Sequence, residues 1–244
     1  MCIIAAKFRG LEMPMESRLR SMWECNPDGA GFMVRSNRGI EIFKGYMTFE
    51  SLMTALDKVD KMVNLKDCDV VLHFRYGTHG GNIPELTHPF TVSKDFDTMK
   101  ELYNKVDIAV AHNGVYPYMT DYGISDTMMY IKEKIEPLYD KNKKFYETEL
   151  NKLDGKLCFL TEDGIRFVGK FIEDEYDGII YSNETYSYYD DYYYDYYEEF
   201  DDFEFDYYED YLGYDTKESD NEFNFGGFST IGDDRDEKGK KTVS

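Results

Sequence analysis

Apolar and polar positions change period several times along the chain, and each change predicts an element. Residues 2–8 (CIIAAKF) form a continuous apolar, partly β-branched run, the pattern of a buried strand. A short helix is predicted through 17–24 (SRLRSMWE). Asn26-Pro27-Asp28-Gly29 marks a turn, because Pro presets φ and Gly admits φ > 0. Beyond it, 30–36 (AGFMVRS) and 39–46 (GIEIFKGY), separated by Asn37-Arg38, predict a β-hairpin. Thr48 stands where it can cap a helix over 48–63, with Leu52, Leu56, Val59 and Val63 on one face. Residues 69–77 (DVVLHFRYG) and 108–115 (IAVAHNGV) predict strands flanking a His- and Gly-rich connection. Ser125 is placed to cap a helix over 126–139, and Asp126 in its first turn suits the helix dipole. A second short helix is expected near 144–153. Three strands close the pattern: 156–163 (KLCFLTED), then 164–171 (GIRFVGKF) across an Asp163-Gly164 turn, then 177–183 (DGIIYSN). Runs of strands with helices between them predict an α+β fold, its sheets packed on each other and covered by helices.

Composition divides the chain unevenly. The 244 residues hold 49 Asp+Glu against 28 Lys+Arg, a net charge of -21. Residues 188–244 alone carry 19 Asp+Glu against 5 Lys+Arg, in runs such as YYDDYYYDYYEEFDDFEFDYYEDY. That segment has almost no aliphatic residues to offset the entropy of ordering, and its carboxylates repel one another. Two regions are therefore expected: a folded domain over 1–187 and a disordered, Tyr-rich acidic tail over 188–244. A tail of this chemistry suits docking onto a basic protein in the manner of a nucleic-acid mimic. The acid excess argues against direct binding of nucleic acid itself, which needs basic surface. No run reaches the ~18–20 apolar residues of a membrane span, and the N-terminus lacks the layout of a secretory signal. Four Cys without a close pair do not suggest a disulfide framework. A soluble cytoplasmic protein is expected.

Candidate chemistry begins at Cys2. Met1 precedes a small residue, the situation in which the initiator Met is usually removed. A terminal Cys2 would carry its thiol beside its own α-amine, whose unperturbed pKa of about 7.7–8.0 suits it to take the thiol proton and return one to a leaving amine. The bland alternative is a small buried residue opening a strand. In 73–80 (HFRYGTHG), Arg75 can present a planar fork to a carboxylate, a two-point grip that Lys cannot copy. In 111–114 (AHNG), the Asn113 side chain and the Gly114 N–H form a candidate oxyanion site. Asp126 places a carboxylate at a helix start. The four His, at 73, 79, 88 and 112, lie within or between these motifs. Their spacing is not helical and no Cys pair completes a tetrahedral set, so hydrogen bonds to turns explain them better than a metal. Cys25, Cys68 and Cys158 read as packing residues. No Walker-type or dinucleotide glycine pattern is present, and neither a cofactor nor a metal is expected.

Taken in order, Met-Cys, NPDGAGF, HFRYGTHG followed by HPF, AHNG and SDT resemble the class II glutamine amidotransferase domain, a family of N-terminal nucleophile hydrolases. The likeness runs over about residues 2–183 and is strongest to the glutaminase half of glucosamine-6-phosphate synthase. It implies a four-layer αββα sandwich with Cys2 at a strand end between two sheets. It implies too that Cys2 attacks the side-chain amide of glutamine, forming a thioester and releasing ammonia. Asn113 and Gly114 would hold the oxyanion, Arg75 the substrate α-carboxylate and Asp126 its α-ammonium. Thr78 and His79 would line that pocket, and Gly29 and Gly31 would let backbone approach the nucleophile. Ile3 departs from the family, which carries Gly there. A β-branched residue would restrict the first turn of the strand or narrow the pocket. Residues 188–244 do not resemble an ammonia-using synthase domain, so ammonia would pass to a partner subunit or escape, unless the substrate is another γ-glutamyl amide. Compact members of this kind resemble those encoded by bacteriophages. Two rivals differ in class or substrate: a non-catalytic binding protein that keeps the pocket and acts through its tail, and an N-terminal nucleophile acylase or peptidase. Opposite charges at Arg75 and Asp126 suit a free amino acid better than a peptide.

Overall fold

The computed structural model describes residues 2–77, 80–139 and 147–187. The acidic segment 188–244, with the disorder expected of it, lies outside the described residues. In chain order the elements are β1 (Ile3–Lys7), α1 (Glu16–Cys25), β2 (Ala30–Ser36), β3 (Gly39–Tyr46), α2 (Phe49–Val63), β4 (Asp69–Phe74), β5 (Phe90–Thr91) and α3 (Phe96–Lys100). There follow β6 (Tyr103–Val106), β7 (Ala109–Asn113), α4 (Asp126–Tyr130), α5 (Glu147–Leu150), β8 (Lys156–Thr161), β9 (Gly164–Val168), β10 (Ile172–Glu173) and β11 (Ile180–Tyr181). The fold is mixed α/β, with few helices. Its strands form a seven-stranded sheet ordered β10-β11-β1-β4-β2-β3-β6 and a four-stranded sheet ordered β5-β7-β8-β9. Every pairing is antiparallel.

Alternation along each strand sorts the apolar residues into three cores. Ile3 and Ala5 of β1, with Leu72 and Phe74 of β4, pack beneath α1 and α2. Their neighbours Ile4, Ala6 and Val71 meet Ala109, Ala111, Cys158 and Leu160 of the second sheet. Val110, Leu157 and Phe159 turn the opposite way, onto Met128, Ile131 and Ile135 in and after α4. The β1 phase has a direct consequence for the site. Ile3 is fully buried in the helix-side core, so its branch does not narrow a pocket on the sheet–sheet side.

Local chemistry accounts for most boundaries. The hairpin falls at 30–36 and 39–46 as expected, with Ser36 opposite Gly39. In the β8–β9 hairpin the turn residues are Glu162 and Asp163, because Gly164 already pairs with Thr161. Thr48 caps α2 in a reciprocal box with Ser51, and α2 buries Leu52, Leu56 and Val59 as expected. Phe49 and Ala55 join that face, while Val63 is half-buried. The expected helix over 126–139 is not continuous: after α4 the backbone widens to a π-turn over Ile131–Ile135 and tightens to a 3-10 turn over Glu136–Leu138. Pro137 has no N–H to give and its ring clashes one turn back, so a regular α-helix cannot run through it. The second short helix is α5, of four residues. The short β5, β6, β10 and α3 carry no periodic signal long enough to read.

Candidate active site

β1 and β4 run antiparallel with Ile3 opposite Phe74, so Cys2, just before β1, comes beside Arg75 and Tyr76, just after β4. Tyr76 N–H donates to Cys2 Sγ at 3.3 Å, and the thiol donates to the Tyr76 carbonyl at 3.6 Å. Burial pushes the Cys2 thiol above its ordinary range, against the Tyr76 N–H and the Arg75 charge, which favour the thiolate. At neutral pH the thiol therefore keeps its proton and needs a base to become a nucleophile.

Arg75 is buried. Its Nη1 donates to Asn82 Oδ1 at 3.2 Å and its Nη2 to the Gly81 carbonyl at 2.9 Å. A Cβ at residue 77 would stand 2.8 Å from Nη1, so Gly77 lets the fork fold over its own chain. Asn82 in turn donates to Asp28 Oδ1 at 3.1 Å, and Asp28 Oδ2 accepts the Gly77 N–H at 2.8 Å. Asn82 and Asp28 thus steer the guanidinium. Asp28 reads from sequence only as a turn residue, and Asn82 carries no sequence signal.

The opposite wall comes from α4. Ser125 caps it through Met128 N–H, and the buried Asp126 accepts Thr127 N–H at 2.8 Å and Tyr116 N–H at 2.6 Å. Both oxygens are held by backbone, which fixes a carboxylate with lone pairs to spare.

Cys2, Arg75, Tyr76, Gly114 and Asp126 line one pocket, with at most about 330 Å³ of open space. His88 and His112 also line it. Asn113 is buried beside it, with Nδ2 donating to Ser182 Oγ at 2.8 Å and Oδ1 without a partner among the described residues. Thr78 and His79 lie outside the described residues.

Two expectations are corrected. The described histidines do not bond to turns. His73 bonds the His112 carbonyl of β7 at 3.0 Å, His112 bonds the Thr127 hydroxyl at 3.0 Å, and neither ring nitrogen of His88 has a partner among the described residues. The rings pack on neighbouring rings instead, His73 tilted against His88 at 4.2 Å and His112 stacked on Tyr116 at 4.2 Å. Burial brings His73 to about 3 and His112 to about 4, and holds His88 well below its usual range. Gly29 and Gly31 do not serve the nucleophile either. A Cβ at Gly29 would stand 2.7 Å from Thr87 Cγ2, and one at Gly31 would stand 2.3 Å from the His88 carbonyl. They admit the segment that carries His88 into the pocket wall.

Among the described residues no group of three or more His, Cys, Asp or Glu could hold a metal ion, and no helix is long and apolar enough to cross a membrane. No protein-family model matches the chain. A curated protein of Haemophilus influenzae described as "Putative glutamine amidotransferase" is 32% identical over 108 residues. The match covers 43% of this chain and 33% of that protein, so the chain spans about a third of the relative's length.

Proposed function

We propose that the protein is a glutamine amidotransferase of the N-terminal nucleophile class, which releases ammonia from the side-chain amide of glutamine. The observation that carries the reading is one pocket whose walls hold a thiol, a guanidinium and a carboxylate: Cys2, Arg75 and Asp126. Two antiparallel sheets with a core between them and helix-side cores beyond support the αββα sandwich of that class. The likeness to the Haemophilus influenzae protein points to the same activity.

Free glutamine carries one charge of each sign on its α-carbon. Arg75 grips the α-carboxylate and Asp126 the α-ammonium, which sets the side-chain amide before Cys2. With Met1 removed, the Cys2 α-amine takes the thiol proton that burial retains. The sulfur then bonds the amide carbon, and the carbonyl oxygen gains a negative charge stabilised by Gly114 N–H and the Asn113 amide. As the intermediate collapses, the Cys2 α-ammonium gives its proton to the amide nitrogen, the C–N bond breaks and ammonia leaves, and water then hydrolyses the thioester to glutamate and free thiol.

Cys2→Ala should abolish ammonia release from glutamine, and intact mass spectrometry of the native chain should show loss of Met1. Full turnover by the Ala variant would refute the mechanism, whereas no turnover by the native chain would leave a binding protein with this pocket.

A further inference from the structure

Ser182, directly after β11, joins the two sheets at the site. It is fully buried. Its N–H donates to the Ile4 carbonyl at 3.0 Å, and its carbonyl accepts Lys156 Nζ at 2.5 Å. Lys156 is the cross-strand partner of Asn113. The Ser182 backbone is thus gripped from β1 on one side and from β8 on the other. Its Oγ accepts the Ile4 N–H at 2.9 Å and Asn113 Nδ2 at 2.8 Å. The next residue, Asn183, donates to the Cys2 carbonyl at 2.8 Å.

A serine hydroxyl has two lone pairs and one proton. Both lone pairs of Ser182 face donors, while Asn113 Oδ1 is buried without a partner. Turning the carboxamide by half a rotation exchanges its nitrogen and oxygen with almost no change of shape. Oδ1 then accepts the Ser182 proton, and Nδ2 takes the unpartnered place with hydrogens to give. A buried donor lacking an acceptor is what a developing oxyanion requires.

We propose that Ser182 is the positioning residue for the Asn113 carboxamide, accepting from β1 and donating to Asn113 Oδ1 so that Nδ2 is held ready for the oxyanion. The inference rests on the reading of Asn113 as an oxyanion donor and goes beyond it by naming what orients that donor. Asn113 alone could present either end of its amide, and Ser182 selects the end.

The test is a double-mutant cycle on the full chain. Ser182→Ala should lower kcat for glutamine by about 10- to 100-fold with KM within about threefold, because the group acts on the transition state and not on the two substrate anchors. Alkylation of Cys2 by iodoacetamide, which forms no oxyanion, should keep its wild-type rate. Asn113→Ala should be at least as slow as Ser182→Ala, and the double variant no slower than Asn113→Ala alone. Ser182→Thr, which keeps the hydroxyl, should recover most of kcat. If Ser182→Ala does not fold, the comparison of Ser182→Thr with Ser182→Cys, a weak donor, carries the same contrast. Wild-type kcat in Ser182→Ala, losses that multiply in the double variant, or equal rates for the Thr and Cys variants would overturn the proposal. Wild-type kcat in Asn113→Ala would instead overturn the oxyanion assignment beneath it.

Discussion

Under the proposed function, Asp126 serves both stability and recognition. Its two oxygens accept the Tyr116 and Thr127 N–H groups, so the side chain holds the 116–127 connection while its charge faces the pocket. Asp126→Asn would remove the charge and aim an amide N–H at one of two backbone donors. The expected outcome is a loss of about 1–3 kcal/mol of stability in thermal melts. Together with it, KM for glutamine should rise about 10- to 100-fold, since the charge-assisted bond to the α-ammonium is lost. A variant that melts lower but binds glutamine unchanged would show Asp126 to be structural only.

At the scale of elements, the segment from β10 to 187 governs both the nucleophile strand and Asn113, yet its two strands have only two residues each. Its fixation comes from α1. Buried Arg18 bonds Asp177 at 2.6 Å and Asp174 at 3.0 Å, and its guanidinium lies over the Tyr186 ring at 5.2 Å. Tyr181 OH donates to Asp177 and Tyr186 OH to Asp174, closing the network. Removing a buried partner strands the remaining charges. Arg18→Gln should therefore cost about 3 kcal/mol and speed amide hydrogen exchange across 172–187 before the rest of the sheet. It should also slow glutamine turnover, because Ser182 and Asn183 lose their support. Unchanged exchange in that segment would contradict the clamp.

Over the whole molecule, three buried imidazoles, His73, His88 and His112, govern the response to acid. His73 at about 3 and His112 at about 4 stay neutral when folded, as does His88, whereas each unfolded side chain takes a proton near 6.5. Below about 6.5 only the unfolded chain gains these protons, so stability is full above that pH and falls beneath it. Each His contributes about 1.4 kcal/mol per pH unit until its folded value is reached. Urea melts between pH 6 and 5 should reveal nearly three protons taken up on unfolding, and a flat profile would contradict neutral burial. Legible along the chain were local or ordinal features: the 30–46 hairpin, α2 with its Thr48 cap, β1 as a buried strand, and the order of motifs that brought Cys2, Arg75, Gly114 and Asp126 under suspicion. Periodicity and turn chemistry act over a few residues, so they survive in the linear text. Three-dimensional packing alone brings Asn82 and Asp28 onto Arg75, sets the described histidines against other rings and not turns, and carries Ser182 and Asn183 to Asn113, Ile4 and Cys2. Those contacts are single hydrogen bonds and ring contacts made by folding, most of them between residues far apart in the chain, and such contacts leave no periodic trace along the sequence.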